Sequence, residues 1–249
     1  MFFKRYVFYF FYFLTMVVLG LGIFFANYNV IFISILTILL FYSVEFLEKI
    51  GKFMIPFVLK FLLFLFIFGA EILGEIFDFY GYIDIWDSLL HYMAGFLSAC
   101  FGFSMIRSFR KLYDNFKSLP VVCLVIVVCF SMTLGVIWEF FEFNMDKYFD
   151  FDMQKDTVVD KINSVFLNDD EGSKVVKVDD ILFTEIHTLD GVIRIDDGYL
   201  DIGLVDTISD MKINMVGAFT FGVLSAFYVA FPKRFRWLDN FIAKFKEEI

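Results

Sequence analysis

The chain has 249 residues with 30 acidic against 21 basic side chains, a formal net charge of −9, and yet 60% of it is hydrophobic and 22% aromatic. Water-soluble domains carry about 45–50% apolar residues, so this composition, with a mean hydropathy of +0.74, excludes an ordinary globular protein. Disorder is excluded by the abundance of apolar material to bury, and nucleic-acid binding by the lack of a basic stripe against the acidic balance.

Six runs are apolar over lengths near the roughly 20 residues needed to cross a bilayer core: residues 6–26, 29–44, 53–77, 86–106, 120–143 and 204–231. The second is the shortest. The runs are continuously apolar, which argues for helices and against an alternating outer-membrane barrel. The first follows Lys4 and Arg5 as a signal peptide would, but it is long for that role and has no small-residue cleavage site, so it reads as a retained helix. The fold class expected is an all-α integral membrane protein, a six-helix transmembrane bundle with a small extracytoplasmic α/β insertion. Its parts are residues 1–145 (helices one to five), 146–203 (the insertion) and 204–249 (the sixth helix and a cytoplasmic tail).

The excess charge is localised. Residues 146–203 hold 15 Asp and Glu against 6 Lys and Arg, which is the whole net charge of −9. Lys and Arg elsewhere favour one side of the membrane: Lys4, Arg5, Lys49, Lys52, Arg107, Arg110, Lys111, Lys117, Lys233, Arg234, Arg236, Lys244 and Lys246 fall together if both termini are cytoplasmic. By the positive-inside rule this predicts a multi-pass plasma-membrane protein with residues 146–203 outside. Trp86 and Trp138 then lie at the outer interface and Trp237 at the inner one. Cys100, Cys123 and Cys129 all fall in apolar runs and have no metal-type spacing, so they read as packing residues.

Ionisable residues cluster near the outer ends of the third to sixth helices: Glu71, Glu75 and Asp78; Asp87 and His91; Glu139, Glu142 and Asp146; Asp206, Asp210 and Asn214. Steps of three or four place each set near one helix face. Such groups are costly in hydrocarbon and face an interior or a wet cavity. Below them, Gly95 and Ala99 on the fourth helix, and Ala218, Gly222 and Ala226 on the sixth, form small-residue ridges that let helices approach closely. Gly81-Tyr-Ile-Asp-Ile85 before Asp87 is echoed by Gly198-Tyr-Leu-Asp-Ile202 before Asp206, as a duplicated helix pair would be.

Glu71, Glu75, Asp87, Glu139, Glu142, Asp206 and Asp210 have few compensating charges, His91 and Lys212 being the nearest candidates. Protons or cations must therefore neutralise them. Carboxylates with one imidazole suit a hard or borderline divalent metal. The expected cofactor is such an ion, of unknown identity. Its candidate ligands are His91, Glu139, Glu142, Asp206 and Asp210, with Glu71, Glu75, Asp87 and Asn214 supporting. A metal there could activate water or polarise a phosphoryl oxygen, with His91 and Glu142 as candidate catalytic groups. That is hydrolase or transferase chemistry on a lipid-linked or cell-envelope substrate. Two other readings stand beside it: a cation or proton relay in a transporter, and polar packing between helices. No charged path continues toward the cytoplasm, and Lys60 reads as snorkelling inward. The lipid bilayer is the one partner that composition requires.

In the insertion, β-branched stretches around Asp190-Gly191 predict a hairpin, and residues 158–167 a short amphipathic helix. Asp150-x-Asp152-x3-Asp156 is like a calcium loop but lacks the Gly and the terminal Glu.

Three blocks carry a family resemblance: Trp86-Asp-Ser-Leu-Leu-His91-x3-Gly95, Trp138-Glu-x2-Glu142, and Asp206-Thr-x2-Asp210-x3-Asn214-x2-Gly217-Ala218. They resemble the YjdF-like bacterial membrane proteins and, more distantly, the VanZ-like proteins, over roughly residues 70–230. Asp152-Met-Gln-Lys-Asp-Thr157 is similar to the outer insertion of Gram-positive members. The resemblance implies the topology and these residue choices. It implies no reaction, since the family has no established activity, and the VanZ-like link hints at the cell envelope.

Overall fold

A computed structural model describes residues 2–112, 119–168 and 173–245. Lys117 and Lys246, which entered the charge asymmetry above, lie outside the described residues. Among the described residues six helices are long and apolar enough to cross a membrane, and the chain is a mostly helical, multi-pass protein with a small sheet region.

Helix α1 (Phe2–Phe24) turns at Ala26 and Asn27 into α2 (Tyr28–Ile50). The Asn27 side chain caps α2 by accepting the Val30 N–H at 3.2 Å, satisfying one orphan donor of the first turn. The second run was expected to end near residue 44, yet α2 continues to Ile50. Its last turns contain Glu45 and Glu48. Both reach Lys60, Glu48 Oε2 at 2.8 Å and Glu45 Oε1 at 3.6 Å. Lys60 is therefore paired between helices, with Phe8 and Phe64 rings against its ammonium.

After strand β1 (Phe53–Met54), α3 (Phe57–Phe68) runs into a π-helical segment, Gly69–Ile76. That segment contains Glu71 and Glu75. Its i→i+5 hydrogen bonds change the phase that 3.6-residue counting assigns to the two acids. Glu71 is half-buried and Glu75 exposed. The short α4 (Phe79–Tyr82) follows a left-handed Asp78, and α5 (Trp86–Leu112) and α6 (Pro120–Phe149) complete the first five spans. The sixth is α7 (Leu204–Ala230). Beyond it, a 3-10 turn at Arg236–Phe241 leads to a final strand, Lys244–Phe245, antiparallel to β1.

Contacts divide the chain into two units, Met1–Val136 with Met211–Ile249, and Ile137–Asp210. The divisions fall inside α6 and α7 and not at the helix ends that the apolar runs suggested. The first unit holds the apolar core. Phe41 and Phe64 stack at 4.4 Å, with Phe11 and Tyr12 edge-on around them. Leu97, Cys100, Phe103, Cys123, Val127, Ala218 and Phe221 are buried in the same cluster. Half of the apolar window of α5 is buried, against a third or less for the other spans, so α5 is the enclosed helix. Cys100 and Cys123 are buried packing residues, whereas Cys129 is exposed.

The second unit contains the C-terminal part of α6, the start of α7 and the inserted segment. The insertion is built from paired strands: β2 (Val158–Val159) with β7 (Tyr199–Leu200), β3 (Ile162–Ser164) with β4 (Val176–Val178), and β5 (Phe183–His187) with β6 (Val192–Asp196). The β5–β6 hairpin turns at Asp190-Gly191. No helix occupies residues 158–167. Val158, Val159 and Ile162 pair in strands, and the β-branched character of this stretch outweighs its weak helical periodicity. The two Gly-Tyr-x-Asp-Ile repeats also differ in conformation. The first lies at α4, while the second is extended after Gly198, at φ +157.

Candidate functional site

The first unit brings α5 and α7 into backbone contact. A Cβ at Gly95 would strike the Asn214 carbonyl, and one at Gly217 would strike the Tyr92 carbonyl. Small residues at such crossings let two helices pack on their main chains. Asn214 is 3% exposed and its amide packs over Gly135 of α6, 2.8 Å from where a Cβ would stand. Ser131 of α6 donates to the Gly95 carbonyl at 2.9 Å. These contacts fix the register of α5 on α7.

One turn before Gly95, α5 carries His91, and one turn before that Asp87, whose Oδ1 is 3.6 Å from His91 Nε2. One turn before Asn214, on the same continuous helix, α7 carries Asp210. One ligand atom from each of Asp87, His91 and Asp210 lies within 4.8 Å of the others. Asp210 is 4% exposed, and the Asp87 and His91 side chains are 23% and 12% exposed. Two bonds from one ion to protein ligands, each about 2.0–2.6 Å long, span at most about 4–5 Å. Atoms this close are within reach of a single cation. Among the described residues, this Asp/His/Asp group is the set of His, Cys, Asp and Glu side chains arranged in a way that could hold a metal ion.

The other sequence-predicted residues have different surroundings. In the second unit, Glu139 and Glu142 are 5% and 7% exposed on α6. The indole N–H of Trp138 donates to Glu142 Oε1 at 2.9 Å. Gln154 Nε2 donates to Glu139 Oε2 at 3.4 Å and to Thr207 Oγ1 at 2.6 Å. Asp206 Oδ2 accepts the Lys155 N–H at 2.9 Å, as an acid in the first turn of α7 is placed to do. Asp87 stands in the metal-capable group, where its spacing from His91 gave it only a supporting part. Glu71 and Glu75 belong to the π-helical segment, and Lys212 is exposed.

Two acids of the insertion act as main-chain acceptors. Asp146 accepts the N–H groups of Met153 and Gln154 at 2.7 and 2.8 Å, and Asp201 those of Thr157 and Val205 at 2.7 and 2.6 Å. Residues 153–157 are thus strapped across the end of α6 and the start of α7 within the second unit. Burial and the negative charges of Asp152, Asp201 and Asp146 together raise the Asp156 carboxyl above its ordinary range. Hydrogen bonding from Lys177 and Lys161 lowers that of Asp179. Gln154 and Thr207 stand inside the blocks Asp152-Met-Gln-Lys-Asp-Thr157 and Asp206-Thr-x2-Asp210 that carry the family resemblance, but sequence reasoning assigned neither of them a part in the site.

The family described as "Predicted membrane protein (DUF2238)" matches residues 6–231. The chain belongs to this family. The membership agrees with the membrane protein read from the apolar runs and with a family of unknown function. An uncharacterized protein of Thermotoga maritima is 31% identical over 119 residues, 46% of this chain and 60% of the relative's length. The chain thus spans about three fifths of the length of that curated relative. No solved structure matches it.

Proposed function

We propose that this membrane protein binds one divalent cation through Asp87, His91 and Asp210, and that the bound ion serves hydrolase or transferase chemistry on a lipid-linked or cell-envelope substrate. The observation that carries the reading is the approach of two carboxylates and one imidazole to within 4.8 Å of one another on helices packed backbone to backbone. Oxygen ligands with one imidazole nitrogen suit Mg, Mn, Fe, Ca or Zn. Three protein ligands leave coordination positions for water or a phosphoryl oxygen, the arrangement of catalytic metal sites. The bound ion would supply Lewis acidity. The chain's own part is to hold it, to orient His91 through Asp87, and to exclude bulk water with the apolar body of α5.

Glu139, Glu142 and Asp206 are proposed as further ligands or proton-transfer groups, reached through substrate or water. In this reading residues 146–203 stand outside the plasma membrane, and the acidic insertion raises the local concentration of cations.

The test is elemental analysis of purified protein after supplementation with each candidate metal. The reading expects about one ion per chain in the wild type, and loss of it in His91→Ala and in Asp210→Asn. Purified wild type that takes up no stoichiometric metal from any supplement would overturn it.

A further inference from the structure

We propose that the segment after α7, residues 236–245, is a latched plug. It folds back into the first unit at the end of α5 away from His91 and closes that end to water, so that the Asp87–His91 pair is approached from the opposite side.

Leaving α7 at Ala230, the chain turns back instead of departing. Leu238 and Ile242 are 1% and 0% exposed and belong to the same buried cluster as Cys100 and Phe103. The Phe241 ring packs edge-on against Phe96 of α5 at 5.8 Å. Buried irregular backbone is tolerated where protein satisfies its polar groups, and here several are satisfied. Ala243 N–H donates to Ser104 Oγ at 2.9 Å, and Lys244 and Phe245 pair with Met54 and Phe53. Asp239 then fastens the segment. Its Oδ1 accepts from Arg107 Nη1 at 2.8 Å and from the Tyr228 hydroxyl at 3.0 Å, joining the far ends of α5 and α7. Arg107 also lies over the Tyr228 ring at 5.7 Å. A charge-assisted hydrogen bond is stronger than a neutral one, so this fastening adds to the burial of Leu238 and Ile242 and to the strand pairing in holding the segment closed. All of this packing lies within the first unit and is independent of whether a cation binds.

Cys100 reports on the plug. It is fully buried, and its carbonyl accepts the hydroxyl of Ser104, the side chain that also holds Ala243. In a full-length chain carrying Cys123→Ala and Cys129→Ala, in nanodiscs with both faces open, a charged methanethiosulfonate reagent should modify Cys100 far more slowly than in the denatured chain. Asp239→Ala or Arg107→Ala should raise the rate at least tenfold, and the exchanged pair Arg107→Asp with Asp239→Arg should restore protection. Tyr228→Phe removes one donor and retains the ring, and should give a smaller rise even if the charge variants fail to fold. Cys100 modified as fast in the latched chain as in the denatured one would overturn the proposal. So would unchanged protection in every latch variant that purifies monodisperse. Metal content, read in parallel, should not change in these variants, which separates failure of the plug from failure of the cation reading.

Discussion

Gly95 on α5 lies against the backbone carbonyl of Asn214 on α7 so closely that no Cβ fits between them. One turn away along the same two helices stand His91 and Asp210. The separation of the polar group is therefore set by a glycine contact and not by the polar residues themselves. Gly95→Val and Gly217→Val must push the helices apart. Overpacking of this kind costs about 1–3 kcal/mol, and thermal unfolding in detergent should show it. Metal uptake should fall as well, since the ligand atoms would separate.

Ser131 donates to the Gly95 carbonyl inside the same crossing. Interhelical hydrogen bonds in membrane proteins average about 0.6 kcal/mol. Ser131→Ala should cost about that much in stability and leave metal stoichiometry intact. A complete loss of metal in that variant would show that the crossing is tuned more finely than its packing suggests.

The Lys60 ion pair predicts a coupling. Lys60→Met leaves Glu48 and Glu45 without their cation, while the double variant Lys60→Met with Glu48→Gln also removes the nearer of the two charges. Partners in one network couple by about 0.5–3 kcal/mol. The double variant should accordingly be more stable than the sum of the two single losses, measured by chemical unfolding in a double-mutant cycle.

Asp239 gives a pH dependence outside the spans. Burial alone would raise its carboxyl, but hydrogen bonds from Arg107 and Tyr228 and the charges of Arg107 and Lys244 outweigh this and hold it below the ordinary range. A lowered folded-state pKa means stabilisation that is fully present above the unfolded value, about 3.9, and is lost as pH falls through the lower folded value. Wild type should therefore exceed Asp239→Asn in stability at neutral pH, and the gap should close below about pH 4. A gap that widened with acid would contradict the assigned contacts.

Much of this protein is legible in its sequence because lipid imposes a simple rule: a helix must be apolar over its crossing. The six runs follow from that rule. The end of α2 does not, because Glu45 and Glu48 are made compatible with a longer helix by Lys60, a partner twelve or more residues away. The π-helical turn at Gly69–Ile76 is invisible to any count that assumes 3.6 residues per turn. Asp87, His91 and Asp210 were readable as steps of four along two helices, and the small residues below them announced the close crossing. The assignment of Asp87 to the group itself needed the register set by Gly95 and Asn214. Residues 158–167 misled because alternation and helical amphipathicity are hard to separate over ten residues.

The proposed cation site joins His91 with Asp87 and Asp210. The most direct measurement is electron-spin-echo spectroscopy of the Mn2+-loaded protein, which detects nitrogen bound to the metal. Wild type should show coupling to one imidazole nitrogen, which His91→Ala should abolish and His187→Ala, in the insertion, should not. Mn2+ bound without any nitrogen coupling in the wild type would contradict the claim.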